Sequence, residues 1–161
     1  MSLNCKLKRM DMKLINQLIR IIMKHFLIIF FILTSISSFG QIPIENFNDC
    51  GEKSFFATAQ EKPQFDNSGQ NVYDYLNQQF SEAKLFENVS GKVLIGILVF
   101  DNGKTCCKSF GNMTGKEINS KKVKEIIDEM PDWKPAVQNG EPVNFLYNLM
   151  LTFENGKIIK K

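Results

Sequence analysis

Two spacings of apolar residues divide most of this chain. Val72, Tyr75, Leu76, Phe80 and Ala83 recur on one helical face, which predicts an amphipathic helix of about four turns. Turn formers in "KPQFDNSGQ" precede it, with Asp66, Asn67 or Ser68 placed to cap it. "GKVLIGILVF", residues 91–100, is apolar on both faces, the pattern of a central strand covered by helices on one side and partly packed on the other. Asp101, Asn102 and Gly103 then make a hairpin signal, because Asn and Gly tolerate the positive φ of a tight turn. The return strand, about residues 104–110, is polar and carries two cysteines, and its uneven alternation leaves open which of them faces inward. Val123, Ile126, Ile127 and Met130 form a second helical stripe, with Ser120 as N-cap and Pro131 as its stop. After a turn at Asn139 and Gly140, Val143, Phe145, Tyr147, Leu149, Leu151 and Phe153 fall on one face of a last strand, and Asn144, Asn148 and Thr152 on the other.

The order helix, strand, strand, helix, strand predicts an α+β domain: a small antiparallel three-stranded sheet with both helices packed on one face. We assign it to residues 61–161. Residues 41–60 hold no sustained period and read as an extension or linker. Residues 1–40 read as a leader. Lys24 and His25 precede an apolar run over residues 26–36, and Ser38 and Gly40 stand at the −3 and −1 positions before Gln41. Met10, Met12 and Met23 offer alternative starts for this long leader. The other reading is a retained membrane anchor, since residues 26–44 are 19 uncharged positions, just long enough to span a bilayer.

Charge follows the same division. The formal net charge is +3, yet residues 1–40 carry six cations and one acid, and residues 41–161 carry 14 cations and 16 acids. The exported part is therefore acidic, has no arginine and shows no basic stripe, which argues against nucleic acid as a partner. Cleavage after Gly40 would place the body in the periplasm or elsewhere in the cell envelope; a retained leader would anchor it to the inner membrane.

Three cysteines follow the leader: Cys50, Cys106 and Cys107. In an oxidising compartment Cys50 is expected to pair with Cys106 or Cys107, because neighbouring cysteines bridge each other only with strain. Three free thiols are the alternative. No histidine follows His25, so nucleophile pairs built on histidine are excluded. There is no CxxC pair and no phosphate-binding glycine loop. Glu125, Asp128 and Glu129 read as a solvated helix face. Neither a catalytic site, a metal, a cofactor nor a small-molecule substrate is expected.

What remains is backbone. The edge of a sheet presents unpaired N–H and C=O groups, and such an edge accepts another chain by strand addition. The candidate is the last strand, with Val143, Asn144, Phe145, Leu146, Tyr147, Asn148 and Leu149 as the partner-binding run. Pro131, Trp133 and Pro135 read as fasteners that end the helix and seat this strand.

"MPDWKPAVQNGEPVNFLYNLMLTF", residues 130–153, resembles the end of the TonB C-terminal domain. It has the helix closing in Met-Pro, the Trp-Lys-Pro, the Asn-Gly turn, the Pro-Val and the alternating strand to Phe. "EKPQF", "YDYLNQQF" and "GKVLIGILVFDNGK" are similar to that family's opening, first helix and first strand with its turn, in the same order. The resemblance spans about residues 60–154. It implies a periplasmic interaction module that pairs with an extended peptide of an outer-membrane receptor and serves energised nutrient transport. Phe80-Ser81 stands where the family usually has Tyr-Pro. A long proline-rich spacer is absent, and the stretch before the domain reaches only about 70 Å when fully extended. The alternatives are a membrane-anchored transducer component and a secreted structural domain that pairs with itself.

Overall fold

The computed structural model describes residues 17, 19–25, 42–51, 54–67 and 69–159. The apolar run of the leader, the junction after Gly40, Met10, Met12 and Ser68 lie outside the described residues. The chain divides into two units, Met1–Gln41 and Ile42–Lys161. In the first, residues 19–25 are helical. No helix among the described residues is long and apolar enough to cross a membrane.

The second unit is α+β with an antiparallel main sheet. Its strands are β1 (Ile44–Asn46), β2 (Gln64–Phe65), β3 (Gly91–Val99), β4 (Thr105–Asn112), β5 (Trp133–Lys134), β6 (Ala136–Gln138), β7 (Glu141–Val143), β8 (Phe145–Glu154) and β9 (Lys157–Ile159). Its helices are α1 (Val72–Glu82) and α2 (Ser120–Asp128). The main sheet runs β1-β4-β3-β8-β9, and β2-β5 and β6-β7 form small two-stranded pairs. The three strands expected from periodicity are β4, β3 and β8. A five-stranded sheet replaces the three-stranded one because both flanking strands are only three residues long, too short to carry a visible period.

β3 is central, paired with β4 on one side and β8 on the other, and both of its faces bury side chains. Val93, Ile95, Ile97 and Val99 turn to the main core, where Leu76, Phe80, Val123, Ile127, Leu149, Leu151 and Phe153 meet them. Both helices therefore cover the same face. Each such side chain contributes about 1.5–3 kcal/mol on burial. Leu98 turns the other way and packs with Cys50, Cys106 and Phe100. The irregular pattern of β4 also has a cause. The register shifts between Gly96/Ile97, so that Gly96 pairs with Ser109 and Ile97 with Cys107. The intervening Lys108 is a bulge residue, which lets Cys107 and Phe110 both face the core.

Local signals sharpen the element ends. α1 is capped by Asn71, whose Oδ1 accepts the Asp74 N–H at 3.0 Å, rather than by Asp66 or Asn67. α2 is capped by Asn119, whose Oδ1 accepts the Lys122 N–H at 3.1 Å, and Ser120 is its first helical residue. Residues 41–60 are more than a linker. They supply β1, which pairs with β4, and two further attachments described below. A third hairpin turn, Asn155 and Gly156 with φ of 47° and 85°, joins β8 to β9.

Candidate docking edge

β8 pairs with β3 along nearly its whole length, from Gly91↔Phe153 to Val99↔Phe145. Among the described residues, its other side is covered only near its ends. Thr152, Phe153 and Glu154 pair with β9. At the opposite end Phe56 of the extension forms a parallel bridge with Phe145. The Phe56 N–H donates to the Asn144 carbonyl, and the Leu146 N–H donates to the Phe56 carbonyl, each at 2.9 Å. Backbone groups alternate in direction along a strand, so the even-numbered residues of β8 aim theirs away from β3. Between Phe56 and Ile159 these residues are Asn148 and Met150. Among the described residues no backbone group pairs with them on that side, and both side chains are exposed. The gap has room for an added strand of about five residues, at ~3.4 Å each. β9 does not extend this opening, because the Ile158 N–H donates to Asn77 Oδ1 of α1 at 3.0 Å.

The structure divides the expected partner-binding run, Val143 to Leu149, between two strands. Val143 lies in β7 and pairs with Ala136, so it does not belong to β8. The break falls at Asn144, whose Oδ1 accepts the Asp101 N–H at 3.0 Å and whose Nδ2 donates to the Ser54 carbonyl at 3.1 Å. Phe145 and Leu149 are buried, and their backbone parity faces β3. Tyr147 is half-buried, burial pushes its phenol up, and its parity is also inward. Leu146 gives its N–H to Phe56. Asn148 alone of the expected run has an N–H and C=O without a partner among the described residues, and Met150, beyond the run, shares that position. Phe56 was also missed, since it lies in a segment without periodicity.

The fasteners sit where the helix hands over to the sheet. Trp133 is only 4 % exposed. Its ring meets Phe65 and Tyr147 edge-on, at 5.4 and 5.3 Å between centroids, and its backbone N–H donates to the Gly103 carbonyl at 2.9 Å. Pro131 and Pro135 flank it and are half-buried. Gly103 is at φ +84°, and a Cβ there would collide with the Trp133 carbonyl oxygen. The first hairpin turn and the tryptophan segment thus require each other.

The extension is tied to the sheet by a covalent bond. Cys50 and Cys106 form a disulfide with their Cα atoms 5.7 Å apart, and Cys107 is free and buried. Burial, and then the charge of Asp128, push the Cys107 thiol up to about 12, so it carries almost no thiolate at neutral pH. Beside the bridge, Lys124 Nζ lies 3.0 Å from Asp49 Oδ2 and contacts Asp128 Oδ2 as well. Asp128 Oδ1 in turn accepts the Cys107 N–H at 2.6 Å. The bond to Lys124 lowers the Asp49 carboxyl, and the bond to Asp128 raises the Lys124 amine. Asp49 and the two bridged sulfurs lie within 4.8 Å of one another. The disulfide leaves those sulfurs without a thiolate to give a metal, so this cluster reads as a structural clasp.

Comparison with protein-family models, with curated proteins and with solved structures finds no match to this chain.

Proposed function

We propose that residues 42–161 form a non-enzymatic docking module of the cell envelope that takes an extended peptide as an added strand on β8. The observation that carries this is the open stretch at Asn148 and Met150, bounded by Phe56 and Ile159. Strand addition draws its affinity from main-chain bonds, and these are the chemistry that β8 leaves free. The resemblance of residues 60–154 to the TonB C-terminal domain supports, as the occupant, a receptor segment of a TonB-dependent outer-membrane transporter. The inert Cys107 thiol and the lack of histidine after His25 support a role without catalysis. An anchored transducer component would use the same edge, and N-terminal sequencing distinguishes it: Gln41 as first residue excludes the anchor.

The test is binding of linear heptapeptides selected from a random displayed library on the full-length protein. Asn148→Pro and Met150→Pro each delete an outward donor and obstruct pairing. They are expected to abolish binding while circular dichroism shows a folded chain, whereas Asn148→Ala, which keeps the backbone donor, is expected to weaken binding by no more than about fivefold. Folded proline variants that still bind would overturn the assignment of β8 as the docking edge.

A further inference from the structure

Register fixes which side chains share a row across the sheet. Ile44 of β1 lies opposite Gly111 of β4, Gly111 lies opposite Leu94 of β3, and Leu94 lies opposite Met150 of β8. Directly opposed residues point to the same face. Here it is the face without helices, because Leu94 has the parity of Leu98 and the opposite parity to Ile95. The row is apolar throughout. Ile44 and Met150 are 49% and 48% exposed. Where Gly111 has no side chain, Ile42 Cγ2, Ile44 Cγ1 and Leu94 Cβ each lie 3.5 Å from the place of a Cβ. The adjacent row on the same face is Asn46, Ser109, Gly96 and Asn148, which is polar apart from its glycine. Both rows run across four strands and end at the open stretch of β8.

An added strand becomes the next member of both rows. Whether it runs parallel or antiparallel to β8, the residue opposite Met150 sets its side chain on the helix-free face against the Met150 thioether. The residue two positions away sits opposite Asn148, within reach of its carboxamide. The residue between them turns to the helix side. We propose that Met150 is a specificity-determining residue, and that the docking edge selects an extended peptide with an apolar residue in the Met150 register and a hydrogen-bonding residue two positions away in the Asn148 register. This rests on β8 being the docking edge. It adds that the backbone supplies the pairing while these two rows choose the sequence.

The probe is again a linear heptapeptide selected from a random displayed library on the full-length protein. Amide exchange of the complex first locates it, by protection of the Asn148 and Met150 N–H groups. Selected peptides are expected to share one apolar position, and replacing that residue with aspartate should weaken binding about fivefold, the upper range of a cross-strand pair. Met150→Lys, an exposed substitution whose folding circular dichroism checks, should invert the preference and favour aspartate at that position. Peptides that protect both amides yet show no preferred apolar position, or an unchanged preference with Met150→Lys, would overturn the row-specificity rule and leave the edge intact. Failure of every selected peptide to protect these amides would overturn the edge, and the rule with it.

Discussion

Breaking the Cys50–Cys106 bond isolates what the extension owes to its covalent tie. The bond spans 56 residues of sequence, and restraining a loop of that length in the unfolded chain is worth about 4 kcal/mol by chain entropy. That is a large share of the roughly 5–15 kcal/mol typical of a domain. The folded chain has other attachments for the same segment. β1 pairs with β4, the Phe47 N–H donates to Lys108 at 2.9 Å, and Glu61 exchanges two backbone bonds with Val137 at 3.1 and 3.0 Å. The double variant Cys50→Ala with Cys106→Ala should therefore keep its fold and lose stability. With a urea slope of about 2 kcal/mol per molar, its unfolding midpoint should fall by roughly 2 M. Trp133 reports the transition by fluorescence, since it is the single tryptophan and is buried. A loss below about 1 kcal/mol with an unchanged slope would refute the reasoning, because the unfolded chain would then gain almost nothing from release of the loop.

The buried thiol makes a pH-dependent contribution. The folded chain holds the Cys107 proton more tightly than the unfolded chain does, so this stabilisation is complete below about pH 9 and is lost as pH rises toward about 12. The full loss is up to about 4 kcal/mol. Urea midpoints at pH 8 and pH 10.5 should diverge more for the parent than for Cys107→Ala, and equal divergence would contradict the burial effect. Gly103→Ala meets both a positive φ and the Trp133 carbonyl, and should cost about 2 kcal/mol or more in thermal unfolding. Asn144→Ala removes bonds to Asp101 and Ser54 and should cost about 1–2 kcal/mol. Asn148→Ala, at an exposed position, should stay within about 0.5 kcal/mol.

The long elements were legible because each carries a full period. Val123, Ile126, Ile127 and Met130 mark α2 unambiguously, and the two-faced burial of β3 follows from its unbroken run of Val, Ile and Leu. What periodicity missed is short or paired by backbone alone. β1 and β9 have three residues each, and Phe56 holds the sheet edge through its peptide groups while its side chain is 46% exposed. No pattern of side chains reports such a contact. The break at Asn144 was hidden because Val143 keeps the parity of the strand while leaving it for β7. A signal for β9 was present in Asn155 and Gly156, the same turn pair that marks Asn139 and Gly140. For the proposed docking edge, the strand that became β8 was visible in the sequence. Its outward parity was not, because parity depends on which neighbour takes each carbonyl.

Residue-by-residue amide hydrogen exchange along β8 tests the open edge most directly. The N–H groups of Tyr147, Leu149 and Leu151 have the parity that gives them to β3, Leu146 donates to Phe56, and those of Asn148 and Met150 point away from β3 with no partner among the described residues. Exchange should alternate accordingly, with Asn148 and Met150 fast between slow neighbours in the free protein, and both slowed when a peptide docks. Uniform protection across residues 147–151 of the free, monomeric protein would show that the edge is already covered, and the docking site would have to lie elsewhere.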